Sequence, residues 1–170
     1  MYITIRLAKP ADIPDMAEVM THSIEERREL PAKYIQEMKA KYTNLFNFIT
    51  DENNTHYVIL ADNKTVGITC IKPPADEDID DNYYEFHGIS LHPDYNQQDI
   101  TTKAMNFIFE TVRNLGKTDM VTWVLENNAN SVKLYEKCGF TFDGTNKTIT
   151  EKLPDSGLGD MNCIRMRKGL

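Results

Sequence analysis

The chain has 170 residues, 41% hydrophobic and 26% charged, the balance of a single globular domain that needs neither metal nor disulfide to form a core. A formal net charge of −7 speaks against nucleic-acid binding, which draws on a basic patch to displace counterions from phosphates. No apolar run nears the roughly 20 residues of a membrane span, and three widely spaced cysteines, Cys70, Cys138 and Cys163, suggest neither a disulfide framework nor a zinc site.

Residues 2–7 alternate and predict a first strand. They lack the apolar core of a signal peptide, so a cytoplasmic location is expected. Asp12 is placed to cap a helix, with Pro14 and Asp15 in its first turn and Ile13, Met16, Ala17, Met20 and Ile24 as its apolar stripe. Pro31 restarts a second helix, with Leu30, Tyr34, Met38, Tyr42, Leu45 and Ile49 at helical spacing. Residues 55–61 and 65–72 predict a hairpin with its turn at Asp62, Asn63 and Lys64.

Pro73 and Pro74 break the second arm, and residues 75–82 carry Asp76, Glu77, Asp78, Asp80 and Asp81. That stretch reads as a solvated loop, or as an acidic lip that draws in a cationic substrate. A strand is predicted over residues 83–91. A helix follows from about residue 98 to 115, with Ile100, Ala104, Phe107, Ile108, Val112 and Leu115 facing inward and Gly116 ending it. Beyond lie a strand at 119–124, a helix at 128–138 capped by Gly139, a strand beginning at Phe140 and a last strand at 163–167. Pro154, Gly157 and Gly159 predict a long loop between the last two. Strands alternating with helices imply a mixed α/β sheet covered by helices in one domain spanning residues 1–170.

The segment from Val124 to Phe140 carries the chemistry. Asn128 follows a strand, and Ser131, Leu134, Tyr135, Glu136, Lys137, Gly139 and Phe140 follow at fixed spacing. Asn128 can cap the helix that starts there, and Tyr135, two turns on, can share its face. This segment closely resembles the second coenzyme A motif of the GNAT N-acetyltransferases, with Ser131 where alanine is usual. The resemblance implies the GNAT fold, a mixed, mostly antiparallel sheet with splayed strands flanked by helices, and acetyl-CoA as co-substrate with no metal. It also implies that Asn128 contacts pantetheine and that the Tyr135 hydroxyl protonates the departing thiolate. A phenol of pKa near 10 is protonated at neutral pH and suits that task; the competing reading is a core tyrosine.

Residues 84–95 resemble the central strand of the same family. There an acidic residue at the place of Glu85 acts as general base, directly or through water. Glu85 and His87 are two apart on one strand, so either is a candidate. Burial raises the pKa of a glutamate toward a working range. Ile89, Ser90 and Leu91 stand where backbone groups of the family meet pantetheine.

The pyrophosphate loop departs from the family. Asn96, Asp99 and Thr101 stand where arginine or glutamine and two small residues are usual, among Gln97, Gln98, Ile100 and Thr102. Glycines there let backbone N–H groups wrap a diphosphate at a helix N-terminus. Asp99 caps such a terminus by itself and repels phosphate. Two accounts stand at this point. One is an N-acetyltransferase for a primary amine of a small molecule or peptide, with weakened diphosphate contacts. The other is a binding or regulatory module that keeps only the fold. No nucleic-acid or membrane partner is expected, and a homodimer is compatible with the family.

Overall fold

The computed structural model describes residues 1–28, 32–46, 54–95, 98–153 and 157–170. In chain order the elements are β1 (Ile3–Leu7), α1 (Ile13–Arg28), α2 (Ala32–Phe46), β2 (Thr55–Ala61), β3 (Lys64–Lys72), β4 (Tyr83–Leu91), α3 (Gln98–Asn114), β5 (Asp119–Leu125), α4 (Ala129–Lys137), β6 (Thr141–Leu153) and β7 (Gly157–Gly169). The strands form one sheet in the order β1-β2-β3-β4-β5-β7-β6. β4 and β5 run parallel, while β1 with β2, β2 with β3, β5 with β7 and β6 with β7 pair antiparallel. This is the mixed, mostly antiparallel sheet expected.

The chain divides into two compact units, and β4 contributes to both. The first holds Met1–Lys72 and Gly88–Ile108. Alternation along β2 sends Val58 and Leu60 to one face, where Met16 and Ala17 of α1 and Met38, Tyr42 and Phe46 of α2 cover them. The other face carries Ile59 and Ala61, packed with Val66, Leu91 and the α3 residues Ile100 and Ala104. Phe46 takes the core place expected for Leu45, which is exposed, because the buried stripe of α2 runs at strict four-residue spacing. Leu30 and Ile49, and the side chains of Ile24 and Tyr34, lie outside the described residues. The hairpin turn is tighter than expected: Asp62 and Asn63 both take positive φ (48° and 69°), and Lys64 already belongs to β3. Asp12 does not serve as the simple cap expected. Its carboxylate binds the Arg6 guanidinium at 2.7 and 2.8 Å and accepts the Lys9 N–H at 2.7 Å, tying β1 to the turn before α1.

The second unit holds Pro73–His87 and Phe109–Leu170. α3 ends at Asn114 in a Schellman turn, with Gly116 at φ 77°, Lys117 N–H on the Val112 carbonyl and Gly116 N–H on the Arg113 carbonyl. Leu115 falls outside the helix and is exposed, against expectation. The larger correction is C-terminal. Instead of a long loop, β6 and β7 form a 13-by-13-residue hairpin, paired from Asn146↔Ile164 to Leu153↔Gly157. Gly157 and Gly159 lie in β7, while Pro154 lies outside the described residues. The strand is polar and hides from a hydrophobic pattern, but Thr145, Thr148, Ile149 and Thr150 are β-branched and favour it. Gly144, at φ 88°, sits where the register shifts between Phe142 and Asn146.

Candidate active site

α4 is built to hold a tyrosine. At its start the Asn128 side chain accepts the Ser131 N–H at 3.3 Å, an N-cap. At its end Phe140 N–H bonds the Tyr135 carbonyl (3.0 Å) and Gly139 N–H the Glu136 carbonyl (2.9 Å), with Gly139 at φ 89°. These are the two bonds of a Schellman motif, which brings Phe140 back onto Tyr135. The two rings lie 5.8 Å apart, and Tyr135 meets Phe86 of β4 edge-on at 5.7 Å. Phe140 in turn packs on Phe109 at 6.3 Å. Tyr135 is thereby buried, with its ring held between Phe86 of the strand and Phe140 at the helix end.

Glu85 is the neighbour of Phe86 on β4 and points to the opposite face of the sheet. It is 4% exposed, whereas His87 is exposed, so the strand buries only the first of the two candidate bases. Parallel pairing of β4 with β5 covers residues 83–86 against 119–122. Just past it Gly88 takes φ 96°, a conformation closed to most side chains, and its carbonyl accepts the Thr69 hydroxyl at 2.9 Å. Ile89 and Ser90 are half-buried and Leu91 is buried. Gly67 opposite them leaves room for this approach: a Cβ there would come within 2.5 Å of Leu91 Cδ2 and 3.1 Å of the Ser90 carbonyl.

Asn96 and Gln97 lie outside the described residues, and Gln98 begins α3. Asp99 is exposed in the first turn of the helix, with Thr101 half-buried and Thr102 exposed. Ile100 is fully buried, so its side chain serves the core and only its backbone is open to a ligand. In the second unit the structure thus brings Asn128, Ser131 and Tyr135 together on α4 against Phe86, while Glu85 lies on the opposite face of β4. Ile89, Ser90, Leu91 and the first turn of α3 belong to the first.

The acidic segment is the largely exposed loop expected, but two of its carboxylates are engaged rather than open to a cation. Asp76 accepts the Trp123 indole N–H at 2.9 Å, and Asp78 takes both arms of the buried Arg165 guanidinium. Arg165 also donates to Asp143, as does Arg167. The hydrogen bonds from Arg165 hold the Asp78 carboxyl below its ordinary pKa. Burial pushes Asp143 up, but the hydrogen bonds from Arg165, Thr145 and Arg167 outweigh it and its pKa too is lowered. The sequence reading missed this cluster. The signal was the alternation of Arg165 and Arg167 in β7, two cations on one face of a strand with a run of carboxylates to meet them.

The cysteines offer no activated nucleophile: Cys70 and Cys163 are buried, and burial pushes the Cys138 thiol up, outweighing the lowering by Lys168. No group of three or more histidines, cysteines or carboxylates suited to a metal occurs among the described residues.

No curated protein matches the chain in sequence. Among solved structures, the PaiA N-acetyltransferase of Thermoplasma acidophilum, in complex with coenzyme A, superposes with a TM-score of 0.75 at 21% identity, covering 100% of both chains. The ribosomal-protein-S18-alanine N-acetyltransferase of Escherichia coli gives 0.68 at 18% identity, over 99% of this chain and 94% of its own. The spermidine/spermine N-acetyltransferase of Vibrio cholerae gives 0.64 at 19%, over 98% and 92%. At these identities the likeness is one of fold. The pattern of the acetyltransferase (GNAT) family matches residues 19–140, well over half of the chain, and takes in Glu85, Asn128, Tyr135 and the Schellman turn. The chain belongs to the acetyltransferase (GNAT) family.

Proposed function

We propose that the protein transfers an acetyl group from acetyl-CoA to a primary amine of a small molecule or peptide, with residues 1–170 acting as one catalytic domain. The observation that carries this reading is Tyr135, buried on a helix capped at both ends and packed on Phe86 next to the buried Glu85. Glu85 takes a proton from the amine, directly or through water. The amine nitrogen attacks the thioester carbonyl carbon, and backbone N–H groups near Ile89 stabilise the oxyanion. As the C–S bond breaks, the Tyr135 hydroxyl gives its proton to the leaving sulfur, so that an amide and free coenzyme A result. Asn128 and Ser131 at the start of α4, with Ile89, Ser90 and Leu91 of β4, serve the pantetheine arm. The segment from Asn96 to Thr102 serves the diphosphate.

The exposed Asp99 favours a second reading, a module that keeps the fold without transfer, because a carboxylate in the first turn of α3 opposes phosphate there. One experiment separates the two: release of free thiol from acetyl-CoA with spermidine or with a peptide bearing N-terminal alanine as acceptor. Turnover is expected with one of these. Tyr135→Phe should then lower kcat about a hundredfold while acetyl-CoA affinity changes less than about threefold. Wild-type turnover in that variant removes Tyr135 from the mechanism, and no turnover of either amine by the wild type favours the module.

A further inference from the structure

Arg165 is 2% exposed on β7 and reaches two other parts of the chain, β6 and the acidic segment. Its Nε donates to Asp143 at 2.7 Å, its Nη1 to Asp78 at 2.7 Å, and its Nη2 to Asp78 and to Thr145 at 3.0 Å. Asp76 lies 3.5 Å from Nη1 and also holds the Trp123 indole. The segment at 76–78 is therefore stapled to β5 and β7. Its continuation is fixed as well: Lys117 Nζ donates to the Asp81 carbonyl at 2.6 Å, and Arg167 lies 5.4 Å over the Tyr83 ring, two residues before Glu85.

The register says which face is covered. Glu85 pairs with Val121, Val121 with Arg167, and Trp123 with Arg165. Paired residues share a face and residues two apart in a strand do too, so Glu85, Trp123, Arg165 and Arg167 line one side of the sheet. Phe86 and Tyr135 lie on the other. The staple therefore holds the acidic segment over the face on which Glu85 is buried. It also engages the carboxylates of Asp76 and Asp78, so these are not bait for a cation.

We propose that Arg165 is a positioning residue for the acceptor side of the reaction: it pins the 76–78 segment as a fixed wall over the sheet face that carries Glu85. The proposal rests on Glu85 acting as the base of acetyl transfer. A fixed wall there excludes water from the carboxylate and limits where the amine nitrogen can stand, and a misplacement of about 1 Å is enough to slow such a step severely.

Asp78→Asn tests this with the fold kept, because Asp78 is exposed and Arg165 retains Asp143. Arg165→Met is the stronger companion. Trp123 is the one tryptophan of the chain, with the Lys147 ammonium 3.9 Å from its ring centre, so its emission reports the staple without any ligand. Expected for Asp78→Asn are a shifted Trp123 emission, an acetyl-CoA Kd within about twofold of wild type, and a kcat/KM for the amine (spermidine or the alanine peptide) lowered about tenfold. In the Glu85→Gln background the same change should lower the residual rate less than about twofold, since both act on one step. Wild-type kcat/KM in Asp78→Asn and Arg165→Met, or a full tenfold loss on top of Glu85→Gln, overturns the proposal alone. No turnover of either amine by the wild type overturns the transferase reading and this proposal with it.

Discussion

Thr122 sits at the end of the β4–β5 pairing, in register with Phe86, and is fully buried. Its hydroxyl has no hydrogen-bond partner among the described residues. A buried hydroxyl without a partner is destabilising, and valine matches threonine in shape. Thr122→Val should raise unfolding free energy by about 1 kcal/mol in urea titration; an unchanged or lower value would mean that the hydroxyl is satisfied in solution. At this scale the placement of Asn128 and Tyr135 on one helix and of Glu85 on one strand was legible because their spacing is local: seven residues along α4, and a single acid in β4. Thr122 and Arg165 were not: Thr122 is marked by lacking a hydrogen-bond partner among the described residues, and Arg165 by hydrogen-bond partners 20 to 87 residues away in the chain. Ile100 fills the core as its place in the inward stripe of α3 implies.

At the scale of elements, α4 explains why a short run of residues can mark a family. Gly139 and Phe140 close a Schellman turn whose hydrophobic contact is Tyr135 itself, so the ending that stops the helix also fixes the Tyr135 ring. Gly139→Ala places a side chain at φ 89° and near Lys168 Nζ, 3.0 Å from the new Cβ. It should destabilise by about 1 kcal/mol and lower kcat, read by thermal unfolding and thiol release; unchanged stability would mean that α4 can end another way. The β6–β7 hairpin escaped the sequence reading because its alternation is polar and its glycines resemble a loop. With it escaped the staple, since Asp143, Thr145, Arg165 and Arg167 all stand on those strands. That staple carries a pH signature. Asp78 and Asp143 have folded-state pKa values below the ordinary carboxylate value, so their stabilisation is present above about pH 4 and is lost as pH falls below it. Tm should fall between about pH 5 and pH 3 in the wild type, and less steeply in Arg165→Met from a lower starting value; parallel curves would show that other carboxylates govern acid unfolding.

For the whole molecule, the order of strands and helices was legible from alternation and helical spacing, and the family from one motif and one strand. The sheet order was not, because β7 inserts between β5 and β6 and no local pattern announces that. No helix among the described residues is long and apolar enough to cross a membrane. The central claim, that this family member still uses acetyl-CoA despite Asp99, Asn96 and Thr101, is tested most directly by isothermal titration calorimetry with acetyl-CoA at moderate salt. The account predicts saturable micromolar binding, with Asp99→Gly binding about three- to tenfold tighter as the opposing carboxylate is removed. No binding at millimolar acetyl-CoA, by the wild type and by Asp99→Gly alike, would contradict it.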